Sequence, residues 1–359
     1  MYRVLIAEAT PLRLLCAILT VGLALAVFTT TPNAQASPVR RPVADPVRYV
    51  DLVFDQVERH NNLTYGTAID KPTGHSVNLL LDIYEPAGDT ESHRPVFVFL
   101  FGGGFVAGNK EQEPRQYCEL MAKRGYVAVA INYRINQGNV ATVGIPAAVS
   151  DTRQAVGWLR KHAADYRLDA DRIVLGGSSA GAIASLFTAY TDVERQPGDR
   201  SSDVALVMDL WGALYNQVND MQTGEPPLII IHGTADTLVP FSEAEKLRAR
   251  AEAVDIPYSF HPLEGQGHAP YMPVELMKLV AAFAYEQLWG KGALPTATTQ
   301  PSAPSATPTR PASATPTVQP SATPTAAAPP STATPTTVLT AVPTGVPQTL
   351  IYLPVTWRN

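Results

Sequence analysis

Between residues 79 and 263 the chain alternates short, continuously apolar runs with amphipathic stretches, and several of the runs stop abruptly at glycine. Val96-Phe97-Val98-Phe99-Leu100-Phe101 stops at Gly102-Gly103-Gly104, Ile173-Val174-Leu175 at Gly176-Gly177, and Leu228-Ile229-Ile230-Ile231 at His232-Gly233. A strand that is apolar at every position is buried on both faces, as in a parallel sheet covered by helices on either side. Residues 79–84, 127–131, 204–210 and 258–261 read as further strands. Helices are expected over 114–124, 147–166, 182–190, 243–254 and 273–288. Repeated β-α alternation of this kind predicts a doubly wound α/β fold with a mostly parallel central sheet and helices on both faces. Such sheets carry their chemistry beyond the carboxyl ends of the strands, which is where the glycines fall.

One of these turns has the spacing of an activated nucleophile. Gly177-Ser178-Ser179-Ala180-Gly181 is a G-x-S-x-G sequence between a strand and a helix rich in small residues. A nucleophile on so sharp a turn has a strained backbone, and side chains two residues to either side would collide. Ser179 is therefore the expected nucleophile. Ser178, flanked by Gly176 and Ala180, is an overlapping candidate, less favoured because its +2 neighbour is not glycine. A phosphate-binding turn is the other reading of such a loop, but no lysine follows in the nucleotide-loop pattern. The three glycines after residue 101 suit a different task. Glycine lets backbone amides approach a reacting oxygen closely, and a tetrahedral intermediate needs such donors. Gly103, Gly104 and Ala180, the residue after the nucleophile, are the expected oxyanion-hole amides.

The acid and the base follow in chain order. Asp236 closes His232-Gly233-Thr234-Ala235-Asp236 after a strand, and His268 lies in Glu264-Gly265-Gln266-Gly267-His268, ahead of the last helix. The order Ser179, Asp236, His268 is that of a nucleophile–acid–base triad. His268 would take and return the serine proton, and Asp236 would hold its tautomer. Asp209 is the alternative acid. Of the seven histidines, His232 is read as ordering the Asp236 loop and His261 as structural, while His60, His75, His93 and His162 lack a motif. Asp169 and Asp171 read as a solvated turn, and no metal or cofactor is implied. Arg134 and Asp151, a cation after a core strand and an anion on the next helix, are expected to pair, since a lone buried charge is costly.

The ends differ from the core. Arg3 and Arg13 precede an apolar run over 14–28 and the small-x-small sequence Ala34-Gln35-Ala36. This reads as a cleaved signal peptide, residues 1–36, on a secreted or cell-surface bacterial protein. The mature chain then keeps only Cys118, read as a buried small hydrophobe, so no internal disulfide is expected. Residues 293–345 are rich in Pro, Thr, Ala and Ser and repeat the motif Ser-Ala-Thr-Pro-Thr at 305–309, 313–317 and 321–325. They read as an extended disordered linker. Residues 346–359, with Leu350-Ile351-Tyr352-Leu353, are either a sorting or docking element at the tip of a cell-surface stalk, or inert. A formal net charge of −5 with no basic run argues against nucleic acid as a partner.

Taken together, FGGGF, GGSSAG, HGTAD and GQGH make residues 37–292 resemble a catalytic domain of the α/β-hydrolase superfamily, esterase/lipase branch. The resemblance covers roughly residues 65–290, and Asn132-Tyr133-Arg134 adds to it. It is similar to hormone-sensitive-lipase-type carboxylesterases and to acetyl xylan or feruloyl esterase-like domains. The resemblance implies a serine carboxylic ester hydrolase acting through an acyl-enzyme on small-molecule or polysaccharide-borne esters. An amide or acyl-peptide hydrolase and a non-catalytic adhesion protein are the alternatives. Phe101 stands where that branch commonly has histidine, so packing of Phe101 is expected to brace the glycine loop instead. Only residues 211–227 separate two successive strands, which implies a minimal cap and an open site.

Overall fold

The computed structural model describes residues 46–196 and 203–290. The expected signal peptide, the linker and the terminal segment lie outside the described residues. Eight strands form one sheet in the order β1-β2-β4-β3-β5-β6-β7-β8. They are β1 Val57–Ile69, β2 Ser76–Pro86, β3 Arg94–Leu100, β4 Val127–Ile131, β5 Leu168–Ser178, β6 Leu206–Leu210, β7 Leu228–Gly233 and β8 Tyr258–Leu263. β1 and β2, and β2 and β4, pair antiparallel, while every pairing from β4 to β8 is parallel. Successive residues of the parallel strands feed two cores. Val96, Val98 and Leu100 of β3 join one with α2 (Ile145–Lys161), α3 (Ala180–Tyr190) and α4 (Phe241–Ala253). Phe97 and Phe99 join the other with α1 (Glu113–Ala122) and α5 (Pro273–Trp289). The continuous apolar runs are thus explained by burial on both faces, and the α/β sandwich has the expected mostly parallel sheet.

The largest differences from the sequence reading fall at three elements. β1 is a whole edge strand where the pattern suggested little, because its outward residues are polar and only Tyr65 is buried. β5 begins at Leu168, well before the apolar run, since Leu168 pairs with Arg94 before a register shift resumes pairing at Val96–Ile173. α2 ends at Lys161 rather than at 166, with Arg160 and Lys161 in the last turn, where cations oppose the helix dipole favourably. The link between β6 and β7 holds one 3-10 helix, Tyr215–Asp220.

The strand order sets the site. From β3 the chain passes to β4 on one side, then returns to β5 on the other. At such a switch point the loops leaving adjacent strands diverge and open a crevice. The loops after β3 and β5 flank it, and those after β7 and β8 follow along the same edge.

Candidate active site

β5 passes into α3 through a single residue, Ser179, with φ 50° and ψ −116°, a conformation that residues with a side chain adopt only under strain. The flanking glycines are required by contact. A Cβ on Gly177 would lie 2.4 Å from the Leu100 carbonyl oxygen, and one on Gly181 only 2.2 Å from it. The turn is thus pressed against the end of β3. Ser179 donates its amide to the Leu210 carbonyl at 2.9 Å and presents Oγ 2.9 Å from His268 Nε2.

His268 Nδ1 is 2.7 Å from Asp236 Oδ2. A carboxylate only accepts, so Nδ1 carries the proton and Nε2 is left to accept from Ser179. Asp236 has a fully buried side chain whose Oδ1 accepts the Leu238 and Val239 amides at 2.9 and 3.0 Å. The loops bearing the acid and the base are interlocked. Ala235 donates to the Gln266 carbonyl at 2.9 Å and Thr234 to the Leu263 carbonyl at 3.1 Å, and a Cβ on Gly233 would strike the Gln266 carbonyl oxygen at 2.3 Å. Serine, histidine and aspartate therefore form one hydrogen-bonded series drawn from three loops.

The buried His232 donates Nε2–H to the Val239 carbonyl at 2.9 Å and lies 3.2 Å from Asp236 Oδ2, so it braces the acid's loop. Asp209, at the end of β6, accepts the Gly212 amide at 2.8 Å rather than serving the histidine. Burial pushes its carboxyl up to about 6, against the pull of His232 and the Gly212 amide. Its Oδ2 and His232 Nδ1 have no hydrogen-bond partner among the described residues. His60 and His162 are engaged by Glu85 and Asp165, each at 2.8 Å, and His261 by Ser259 Oγ at 2.7 Å. Asp169 accepts the Asp171 amide and pairs with Arg172. Cys118 is fully buried, and burial raises its thiol well above the usual range.

The glycine loop leaves β3 beside the elbow. Gly103 and Gly104 have φ values of 122° and 62°, left-handed backbone that favours glycine, and a Cβ on Gly103 would meet the Ala107 carbonyl oxygen at 2.2 Å. Gly102 lies against the elbow, where an added Cβ would be 3.3 Å from Ser179 Cβ. Of three consecutive polar residues after β4, the first two hold this loop and the third pairs with α2. Asn132 Oδ1 accepts the Lys110 amide at 2.8 Å, Tyr133 Oη donates to the Phe101 carbonyl at 2.8 Å, and Arg134 binds Asp151 through Nη2 and Nε at 2.7–3.0 Å. The loop's far end is anchored by the buried Lys110, whose Nζ is 2.9 Å from the buried Asp82. Sequence reasoning missed Lys110, Asp82 and also Glu113, because isolated charges in polar stretches carry no motif.

Comparison with known proteins agrees with this architecture. The BD-FAE family profile matches residues 81–223, and that of the prolyl oligopeptidase family matches 211–290. The chain is 26% identical over 237 residues to the probable carboxylic ester hydrolase LipM of Mycobacterium tuberculosis, covering 53% of this chain and 54% of LipM. It is 25% identical to Esterase LipQ of the same organism, over 47% of this chain and 49% of LipQ. The chain thus spans about half the length of these curated relatives. Among solved structures, propionate-bound Est2, a thermophilic esterase from Thermogutta terrifontis, superposes with a TM-score of 0.54 at 27% identity, over 63% of this chain and 93% of that one. The form of that esterase phosphorylated by paraoxon gives 0.55 at 26% identity, over 64% and 95%. The chain has the α/β-hydrolase fold, and the proteins it resembles in sequence and structure are esterases.

Proposed function

We propose that the chain is a secreted serine hydrolase of carboxylic esters. The observation that carries this reading is the series Ser179 Oγ–His268 Nε2 at 2.9 Å and His268 Nδ1–Asp236 Oδ2 at 2.7 Å, on a strained elbow beside the glycine loop. In the proposed reaction Ser179 Oγ attacks the ester carbonyl carbon while its proton passes to His268 Nε2. Asp236, held by the Leu238 and Val239 amides, fixes the imidazole and stabilises its charged form. The amides of Gly103, Gly104 and Ala180 receive the carbonyl oxygen as it becomes negative. Collapse breaks the ester C–O bond, and the leaving alcohol takes the His268 proton. Water then attacks the acyl-enzyme, its proton going to His268. Collapse of that second intermediate frees the acid and returns the proton to Ser179.

The substrate reading is an ester carried on a bulky or polymeric group. Each of the loops bearing the glycines, the acid and the base also exposes an apolar side chain: Val106 is 53% exposed, Leu238 48% and Tyr271 76%. With only a short 3-10 segment between β6 and β7, the mouth is open and rimmed with apolar surface. Secretion through residues 1–36, and placement at a surface by residues 293–359, complete the proposal. A panel of p-nitrophenyl esters, acetylated xylan and methyl ferulate tests it. Turnover of at least one, lost in Ser179→Ala, is expected; no turnover of any ester contradicts it.

The match to the prolyl oligopeptidase family over 211–290 favours a second reading, hydrolysis of an amide by the same triad. Comparing an acyl p-nitrophenyl ester with the matching p-nitroanilide separates the two: a large excess of ester turnover is expected, and comparable rates favour the amidase.

A further inference from the structure

The proposed oxyanion hole draws its donors from two separate segments, Gly103 and Gly104 after β3 and Ala180 at the start of α3. Their spacing matters, because a misplacement of about 1 Å costs roughly 10²-fold in rate. One side chain touches both segments. Glu113, the first residue of α1, accepts the hydroxyl of Ser178 at 2.5 Å and lies beside the backbone amide of Gly102. Ser178 immediately precedes the nucleophile, and Gly102 immediately precedes the first oxyanion glycine. Ser178 is only 1% exposed, and a hydroxyl has one proton to donate, so its bond to Glu113 fixes its orientation. Gly102 is in close contact with the same serine: an added Cβ would lie 3.1 Å from Ser178 Oγ. The first turn of α1 also reaches the histidine loop, where the Tyr271 hydroxyl donates to Gln116 Oε1.

An acidic residue in a helix's first turn is ordinarily a solvent-facing answer to the helix dipole. Glu113 instead turns toward the site, and burial raises its carboxyl despite the bond from Ser178 and the nearby Gly102 amide. A half-buried carboxylate is retained where its hydrogen bonds hold something in place. We infer that Glu113 is a positioning residue, whose carboxylate clamps Ser178 to Gly102 and so sets the distance between the Ala180 amide and those of Gly103 and Gly104. The inference rests on the ester-hydrolase reading above.

Glu113→Gln tests it at nearly constant shape. The amide loses the negative charge and replaces one accepting oxygen with a donating NH2, which weakens its hold on the Ser178 hydroxyl and on the neighbouring Gly102 amide. The full chain and the variant are compared on p-nitrophenyl acetate, with a trifluoromethyl ketone as a reversible analogue of the tetrahedral intermediate, and with thermal melting as a check of folding. A folded Glu113→Gln is expected to lose about 10–100-fold in kcat, with KM changed by no more than about two-fold. Affinity for the ketone is expected to fall by the same factor as kcat/KM, a parallel that damage elsewhere in the fold does not produce. Ser178→Ala, which removes one arm of the clamp, is expected to give a smaller parallel loss, and the double variant to lose no more than Glu113→Gln alone. If Glu113→Gln does not fold, Ser178→Ala is read by the same two measurements. A folded variant with kcat and ketone affinity like those of wild type, or with only KM raised, overturns the inference. A wild type without ester turnover overturns the ester-hydrolase reading and the inference with it, whereas an active wild type with unaltered variants overturns the inference alone.

Discussion

The Phe101 ring lies face to face with that of Tyr133, with centroids 4.2 Å apart and planes 10° from parallel, while the Tyr133 hydroxyl donates to the Phe101 carbonyl at 2.8 Å. Both residues are almost wholly buried. The first position of the glycine loop is therefore held twice, by ring packing and by a hydrogen bond to its backbone. Packing alone was the expectation from sequence; the hydroxyl adds a directional contact where the related branch commonly has histidine.

Tyr133→Phe keeps the stack and removes only the hydroxyl, leaving a buried carbonyl without its donor. Such a loss costs about 1–3 kcal/mol. The urea midpoint is expected to fall accordingly, with a several-fold drop in ester turnover. A midpoint unchanged from wild type contradicts the bracing role.

Asp209 supplies a test of pH dependence. Its folded-state carboxyl is raised to about 6 from an unfolded value of 3.8, chiefly by burial. The folded state therefore holds the proton more tightly, and stability from this group is full below about pH 3.8 and is lost as pH rises through about 6. The loss is about 1.4 kcal/mol for each unit of that window. The stability of Asp209→Asn, measured against wild type by denaturant unfolding from pH 4 to 7, is expected to improve relative to wild type as pH rises. A difference that is flat with pH contradicts this assignment.

Arg134 and Asp151 form the ion pair expected from sequence, with Asp151 fully buried and Arg134 12% exposed. Removing one partner of such a pair strands the other, at about 3–5 kcal/mol. Arg134→Ala is expected to destabilise on that scale, and Arg134→Ala with Asp151→Ala to destabilise less than the sum of the single changes. Additive losses contradict the coupling.

What could be read from sequence was whatever sterics or chemistry forces into a fixed pattern. Gly177 and Gly181 are legible because any Cβ there would enter the Leu100 carbonyl, and the β3 run because both its faces are buried. β1 was not legible, because an edge strand whose side chains mostly meet water has no reason to be apolar. Glu113 was hidden because Glu followed by Pro opens many helices; only the fold shows that this carboxylate faces Ser178. Lys110 and Asp82 meet across 28 residues, a separation no local pattern encodes.

The described residues, 46–196 and 203–290, hold every group in the proposed chemistry. A chain ended after Gly292 is expected to keep the kcat of the full chain on p-nitrophenyl acetate, while adsorption to an insoluble ester-bearing polymer falls. Loss of kcat in a folded, shortened chain contradicts the proposed domain limits.

The central claim is that Ser179, and not its neighbour Ser178, is the nucleophile. Ser178 is buried and bonded to Glu113, whereas Ser179 meets His268. The most direct test is to react the protein with a fluorophosphonate and locate the adduct by peptide mass spectrometry, alongside ester turnover by Ser179→Ala and Ser178→Ala. The expected result is one adduct, on Ser179, with turnover reduced by about 10⁴–10⁶ in Ser179→Ala and partly retained in Ser178→Ala. An adduct on Ser178, or a Ser179→Ala variant that still turns over ester, contradicts the account.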